Sequence, residues 1–180
     1  MKTLLVVFIS LQIVLCYSSR GQANLPIDEK TGKAVYTGVV QVPETDHAEL
    51  YARALNWFQT FFPNPASVIK EKDALNGKIT GQHGMYIFKT LKDKTQFKAG
   101  QVKFMVEIQV KEGRYKYQVD DIFKFDSPKV YIEEWLDESA PDKEAQFGYL
   151  KQVDTQINDM IGSLKEAMGK PVEQETGEDW

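Results

Sequence analysis

The residues that could carry chemistry are few. Asp120 and Asp121 stand side by side in the stretch GRYKYQVDDIFKF (113–125), and His47 and His83 are the chain's two histidines. Paired carboxylates can share a proton or clamp a divalent cation, but only if the two groups converge. In a regular strand, neighbouring side chains point to opposite faces, so Asp120 and Asp121 diverge. The preferred reading is a structural bulge at Asp121: an extra residue restores pairing, turns the strand and lets Ile122 or Phe123 re-enter the core. The Asp121 carboxylate then accepts backbone N–H groups freed by the disrupted ladder, and Asp120 stays on the opposite, wet face. His47 begins a helix between Asp46 and Glu49, and His83 sits in the bend Gly81-Gln-His-Gly84. Neither histidine has a third ligand at metal spacing, so no metal site is assigned. A nucleophile elbow and a phosphate-cradling glycine loop are both missing, so no catalytic residue and no cofactor are assigned.

Aromatic residues are the other lead. Trp57 and Phe58 on a helix, with Phe104, Tyr115 and Tyr117 on strands, are of the right type to wall an apolar ligand pocket between helix and sheet. The same rings would serve simply to fill a core, which is the commoner use of large aromatics. If a pocket forms, the two tyrosines supply the polar handles.

These residues must be positioned by a chain of 180 residues, 42% hydrophobic and 27% charged, an ordinary globular composition. Met1-Lys-Thr followed by the apolar run Leu4 to Leu15 and the small polar stretch Tyr17-Ser-Ser-Arg-Gly reads as a secretory signal peptide over residues 1–21, cleaved after Gly21. The apolar run is too short to span a bilayer, so no integral membrane segment is expected after processing. Lipid attachment at Cys16 is the less favoured alternative, because Leu15 stands where a small residue is wanted. Cys16 is the only cysteine, which leaves the mature chain without thiol, disulfide or cysteine-ligated metal. Processing removes Lys2 and Arg20 and no acid, taking the net charge from −4 to −4 − 2 = −6. An acidic exported chain is a poor nucleic-acid binder. The one local basic patch, Lys89, Lys92, Lys94 and Lys98, reads as a solvated loop between strands.

Periodicity then orders the chain. Residues 22–33 form a flexible lead-in ending in a turn, and residues 34–170 a single domain. Ala34 to Val42 is a first strand stopped by Pro43. From Thr45 to Phe62, Leu50, Ala54, Trp57 and Phe61 recur at helical spacing, with Asp46 and Glu49 as a capping-box-like start. Strands are expected at Ser67 to Asp73, at Gly77 to Thr90 with Gly81 and Gly84 marking a bulge or bend, at Gln101 to Lys111, and from Gly113 onward. Alternation is cleanest in Gln101 to Lys111, which predicts an antiparallel sheet with one buried face. VYIEEWL (130–136) could be a strand end or a helical turn. A long amphipathic helix follows Pro141 and ends at Gly169, and residues 171–180 form an acidic mobile tail. The product is a two-layer α+β domain, an antiparallel sheet of about five strands in the order β-α-β-β-β-β-α with helices on one face.

The pattern Tyr115-x-Tyr117-x-Val119-x-Asp121-Ile122, with the first strand and the Trp57-Phe58 helix, resembles a bacterial family of exported proteins of unknown function described as having a TBP-like fold. That resemblance implies a two-layer fold with a curved antiparallel sheet backed by helices on one face, TBP-like or helix-grip-like, and brings no activity, cofactor or catalytic residue. Its likeness to the DNA-bending protein is one of shape, and the acidic charge speaks against carrying DNA binding over. Taken together, the sequence predicts a periplasmic or extracellular, non-enzymatic module that binds a protein or envelope partner through its sheet face or edge, with the oligomeric state open. A carrier of a small amphipathic or apolar ligand is the alternative, and a hydrolase pairing Asp121 with His83 comes third.

Overall fold

The computed structural model describes residues 25–172; the expected signal peptide, Cys16 and the last eight residues of the acidic tail lie outside that range. Six strands form one antiparallel sheet. In chain order the elements are β1 (Tyr36–Gln41), α1 (His47–Phe61), α2 (Pro65–Val68), β2 (Ile69–Asp73), β3 (Lys78–Thr90), β4 (Gln96–Lys111), β5 (Arg114–Lys124), β6 (Val130–Tyr131), a 3₁₀ turn (Ile132–Leu136) and α3 (Lys143–Met168). Across the sheet the order is β1-β5-β4-β3-β2, with β6 also beside β5. The α+β architecture with helices on one face is the one the alternation demanded.

Its cause is visible in β4 and β5. Val102, Phe104, Val106, Ile108 and Val110, with Tyr115, Val119 and Ile122, are all buried on one face. Leu50, Ala54, Trp57 and Phe58 of α1 and Leu150, Val153, Ile157 and Leu164 of α3 close over them. Polar contacts fix where α3 lies. The Trp57 indole donates to Ser163 Oγ at 3.2 Å and the Tyr36 hydroxyl to Asp154 Oδ1 at 2.9 Å. Arg53, only 8% exposed, binds Glu49 Oε1 at 2.8 Å and donates to the Met168 carbonyl at 2.9 Å. A guanidinium there satisfies one of the carbonyls left open at the end of α3 and sits at the negative end of its dipole.

Several local expectations change. The Asp46 carboxylate caps α1 by accepting from Glu49 N–H at 2.7 Å, but the Glu49 side chain turns to Arg53, so only half of a capping box forms. The segment expected to be strand from Ser67 begins with the short α2, because Asn64 accepts from Ser67 N–H and Pro65 occupies the first turn; β2 starts at Ile69. Leu25 to Lys33 is a closed turn rather than a loose lead-in: Asp28 accepts from Lys30 and Thr31 N–H, and Leu25 is buried in the core. The β3–β4 connection is also shorter than expected, since β4 begins at Gln96 and not at Gln101. VYIEEWL divides into β6 and the 3₁₀ turn, so both of its readings are realised in part.

The β3–β4 pairing passes Gly81 and Gly84 without a break and shifts only between Ile87 and Phe88, whereas on the other side of β3 the pairing with β2 is irregular at Gly81, between Ile69 and Glu71. Gly81 also serves close approach: a Cβ there would lie 2.6 Å from Phe58 Cε1. Gly113, at φ 68, makes the two-residue β4–β5 turn that the sequence predicted. We predict that Gly81→Val, by forcing Phe58 out of its place, costs about 1–3 kcal/mol in urea unfolding, whereas Gly148→Ala on the open side of α3 costs nothing measurable.

Candidate functional site

The β5 strand bulges where the two aspartates stand. Met105 pairs with Asp120 and Lys103 with Phe123, so Phe104 faces both Asp121 and Ile122. Asp121 takes φ 48, in the left-handed region that Asp and Asn tolerate better than most residues. A bulge suspends the strict alternation of faces. Val119 and Ile122 are both buried, while Asp120 is half-buried and Asp121 exposed between them. The expectation that the two carboxylates diverge fails for this reason: both line one groove on the face of the sheet away from the helices. The expectation that Asp121 is satisfied by backbone N–H groups fails with it. Its neighbour is the Tyr131 hydroxyl, held above its ordinary pKa first by the charge of Asp121, then by desolvation and a hydrogen bond to that carboxylate. Asp120 accepts from Gln118 Nε2 at 2.7 Å.

The groove has a topological origin. β1 covers β5 from Arg114 to Val119, and β6 covers it at Phe123 and Lys124, leaving the bulge in the gap between them. The N-terminal turn closes one side of this gap, with Ala34 N–H donating to Glu133 Oε1 at 2.6 Å. Asp28, Thr31, Lys33, Thr37, Lys116, Gln118, Tyr131 and Glu133 complete an opening of about 560 Å³, and Lys33 Nζ lies 3.7 Å from the Tyr131 ring centroid. The sequence marked only Asp120 and Asp121 of this set. The rest come from four separate segments, and nothing in their spacing announces that the gap will gather them. Among the described residues, no group of three or more His, Cys, Asp or Glu is placed to hold a metal ion.

The other expected site residues lie on the helix side. Trp57, Phe58, Phe104 and Tyr115 are at most 1% exposed and Tyr117 is 9% exposed, all within one apolar cluster. Trp57 meets Phe58 edge-on at 5.0 Å and Phe62 at 5.4 Å. The Tyr115 hydroxyl is buried there without a hydrogen-bond partner, and burial together with nearby Tyr117 pushes its pKa up to about 12. His83 lies between Phe62, tilted to it at 4.7 Å, and Phe104, edge-on at 5.9 Å, and burial lowers its pKa. His83 and Asp121 therefore open on opposite faces of the sheet and do not converge. His47 is elsewhere again, its ring beside Gly77 and its backbone N–H donating to Glu112 Oε2 at 3.2 Å.

With this geometry in view, the chain finds its relatives. Residues 36–124 match the model of a family described as "Domain of unknown function (DUF4468) with TBP-like fold". Over those residues the chain is similar to that family. Two solved structures are similar in fold. A DUF4468 family protein from Bacteroides ovatus ATCC 8483 is 18% identical at a TM-score of 0.63, over 82% of this chain and 93% of that one. A TBP-like protein from Parabacteroides distasonis ATCC 8503 is 14% identical at 0.61, over 81% and 98%. Among curated proteins none matches.

Two predictions follow from the geometry of the site residues. Asp121→Asn should leave the melting temperature nearly unchanged, while Asp121→Val, strained at positive φ, should lose about 1–2 kcal/mol in denaturant unfolding. Tyr115→Phe deletes an unpartnered hydroxyl and should be neutral or slightly stabilising near neutral pH. Because the folded pKa of Tyr115 lies above the unfolded value of 10.0, its contribution is intact below pH 10 and is lost as pH rises through about 12. The phenylalanine variant should lack that alkaline loss in a pH series of unfolding curves.

Proposed function

We propose that the protein is an exported, non-enzymatic binding module of the cell envelope that engages a protein partner at the groove beside β1 and β5. The observation that carries this reading is the asymmetry of the sheet. One face is sealed by α1 and α3 over a packed core, while the other bears an opening rimmed by side chains of both charges and by hydroxyls and amides. Such a rim suits a polar peptide segment, which exchanges hydrogen bonds with Gln118, Thr37 and Tyr131 and pairs its charges with Lys116 and Asp121. The export signal is the one read from residues 1–21. Among the described residues, no helix is long and apolar enough to cross a membrane.

The test is affinity capture from envelope fractions with the wild-type protein and with Lys116→Glu combined with Gln118→Arg, both outside the apolar core. A partner held by the wild type and released at least tenfold more readily by the double variant supports the groove. Equal retention by both proteins, or an empty capture, sinks the reading. The carrier alternative has one observation in its favour, the orphaned Tyr115 hydroxyl, which a ligand's polar group would satisfy. It requires a small molecule retained on purification, and native mass spectrometry finding bare protein removes it.

A further inference from the structure

The β3 and β4 strands continue past the domain as a two-stranded ribbon. Ile87 is the last core residue on β3, yet pairing goes on through Phe88↔Lys98, Lys89↔Phe97 and Thr90↔Gln96. The tip is closed by Leu91 N–H on the Thr95 carbonyl at 2.8 Å and by Asp93, which accepts from Thr95 N–H. All ten residues from Lys89 to Lys98 are exposed. At about 3.3 Å per residue, the ribbon reaches on the order of 10 Å beyond the core.

Its composition runs against that of the whole protein. Between Lys89 and Lys103 there are five lysines and one aspartate, a net +4 in a chain whose net charge is −4. Among the described residues, Lys89, Lys92, Lys94 and Lys98 form no salt bridge; Lys98 lies instead over the Tyr86 ring at 3.9 Å. Leu91 is 41% exposed and Phe97 54%, both among these ammonium groups. The reading of the patch as a merely solvated loop does not account for a paired ribbon that holds apolar side chains out in water.

We propose that this ribbon docks the protein onto a bilayer surface carrying anionic phospholipid headgroups. Charge complementarity supplies the attraction, since each lysine near such a surface strengthens binding about fivefold. Leu91 and Phe97 supply the apolar contact below the headgroups, with the lysine stems reaching back to the phosphates. The exposed Leu91 and Phe97 decide between polyanions: a bilayer offers them an apolar layer beneath its phosphates, which a polysaccharide chain lacks. The acidic balance of the whole chain speaks against a nucleic acid. The acidic remainder of the chain is repelled by the same surface, so it turns the ribbon foremost. This proposal does not rest on the protein-binding groove.

The test is sedimentation of the whole protein with vesicles of phosphatidylcholine alone and with about one-third phosphatidylglycerol added. The N-terminal segment, with its apolar run and Lys2 and Arg20, is the same in every variant, so the comparison of wild type with the ribbon variants isolates the ribbon. The wild type should prefer the anionic vesicles by at least tenfold and lose the preference at high salt. Lys89→Glu, Lys92→Glu, Lys94→Glu and Lys98→Glu together should lower binding to anionic vesicles by about a hundredfold or more. Leu91→Ser with Phe97→Ser should weaken it at unchanged charge. Equal binding to both vesicles, or anionic binding untouched by the lysine substitutions, overturns the proposal. Retention on heparin without vesicle binding assigns the ribbon to a polysaccharide and overturns it equally.

Discussion

One constraint orders the molecule: the sheet has a single apolar face, and that face must be covered. β4 sets it with five alternating buried residues from Val102 to Val110, and its neighbours repeat the pattern. At about 25 cal/mol per Å², covering such a face outweighs any polar contact in the domain. The two long helices satisfy it, and their placement is then refined by hydrogen bonds from Tyr36, Trp57 and Arg53. Arg53 shows how the hierarchy works. The core brings α1 against the end of α3, and only then is the guanidinium in reach of the Met168 carbonyl. The outer face has no such obligation, which is why its charged residues and its groove remain open.

Much of this architecture was legible because it follows periodicity. Alternation in Gln101 to Lys111 and the 3.6-residue stripes of the helices are written residue by residue. Boundaries were less legible where polar side chains compete with the backbone. Asn64 turns Ser67 into the first turn of a helix, and Glu49 leaves its cap for Arg53. Gly81 was legible as an irregularity, which the pairing with β2 shows, but its second role is set by Phe58, distant in sequence. A glycine made necessary by a long-range contact carries no local mark.

The candidate site was legible only as a point. Asp120 and Asp121 were recognised, and parity placed them on opposite faces, yet a bulge is the one feature that suspends parity. With both aspartates on the outer face, the groove appears, assembled from the N-terminal turn, β1, β5 and β6. Those segments meet because β1 and β6 each cover part of β5 and leave its middle bare. Strand lengths and sheet order decide that gap, and neither is encoded in the residues that line it.

The sheet's edges, finally, decide how copies of this domain can add to one another. β2 is five residues long with four of them charged, a poor template for pairing. Beyond it the overhang of β3 is occupied by α3, where the Gln152 amide bonds both N–H and C=O of Phe88 at 2.9 and 2.8 Å. β1, YTGVVQ, carries no charge, and among the described residues no further strand pairs with its outer edge. An open polymer needs two adhesive edges on every subunit. A domain with one edge available and the other blocked can close on a second copy across a two-fold axis, and growth then stops at two.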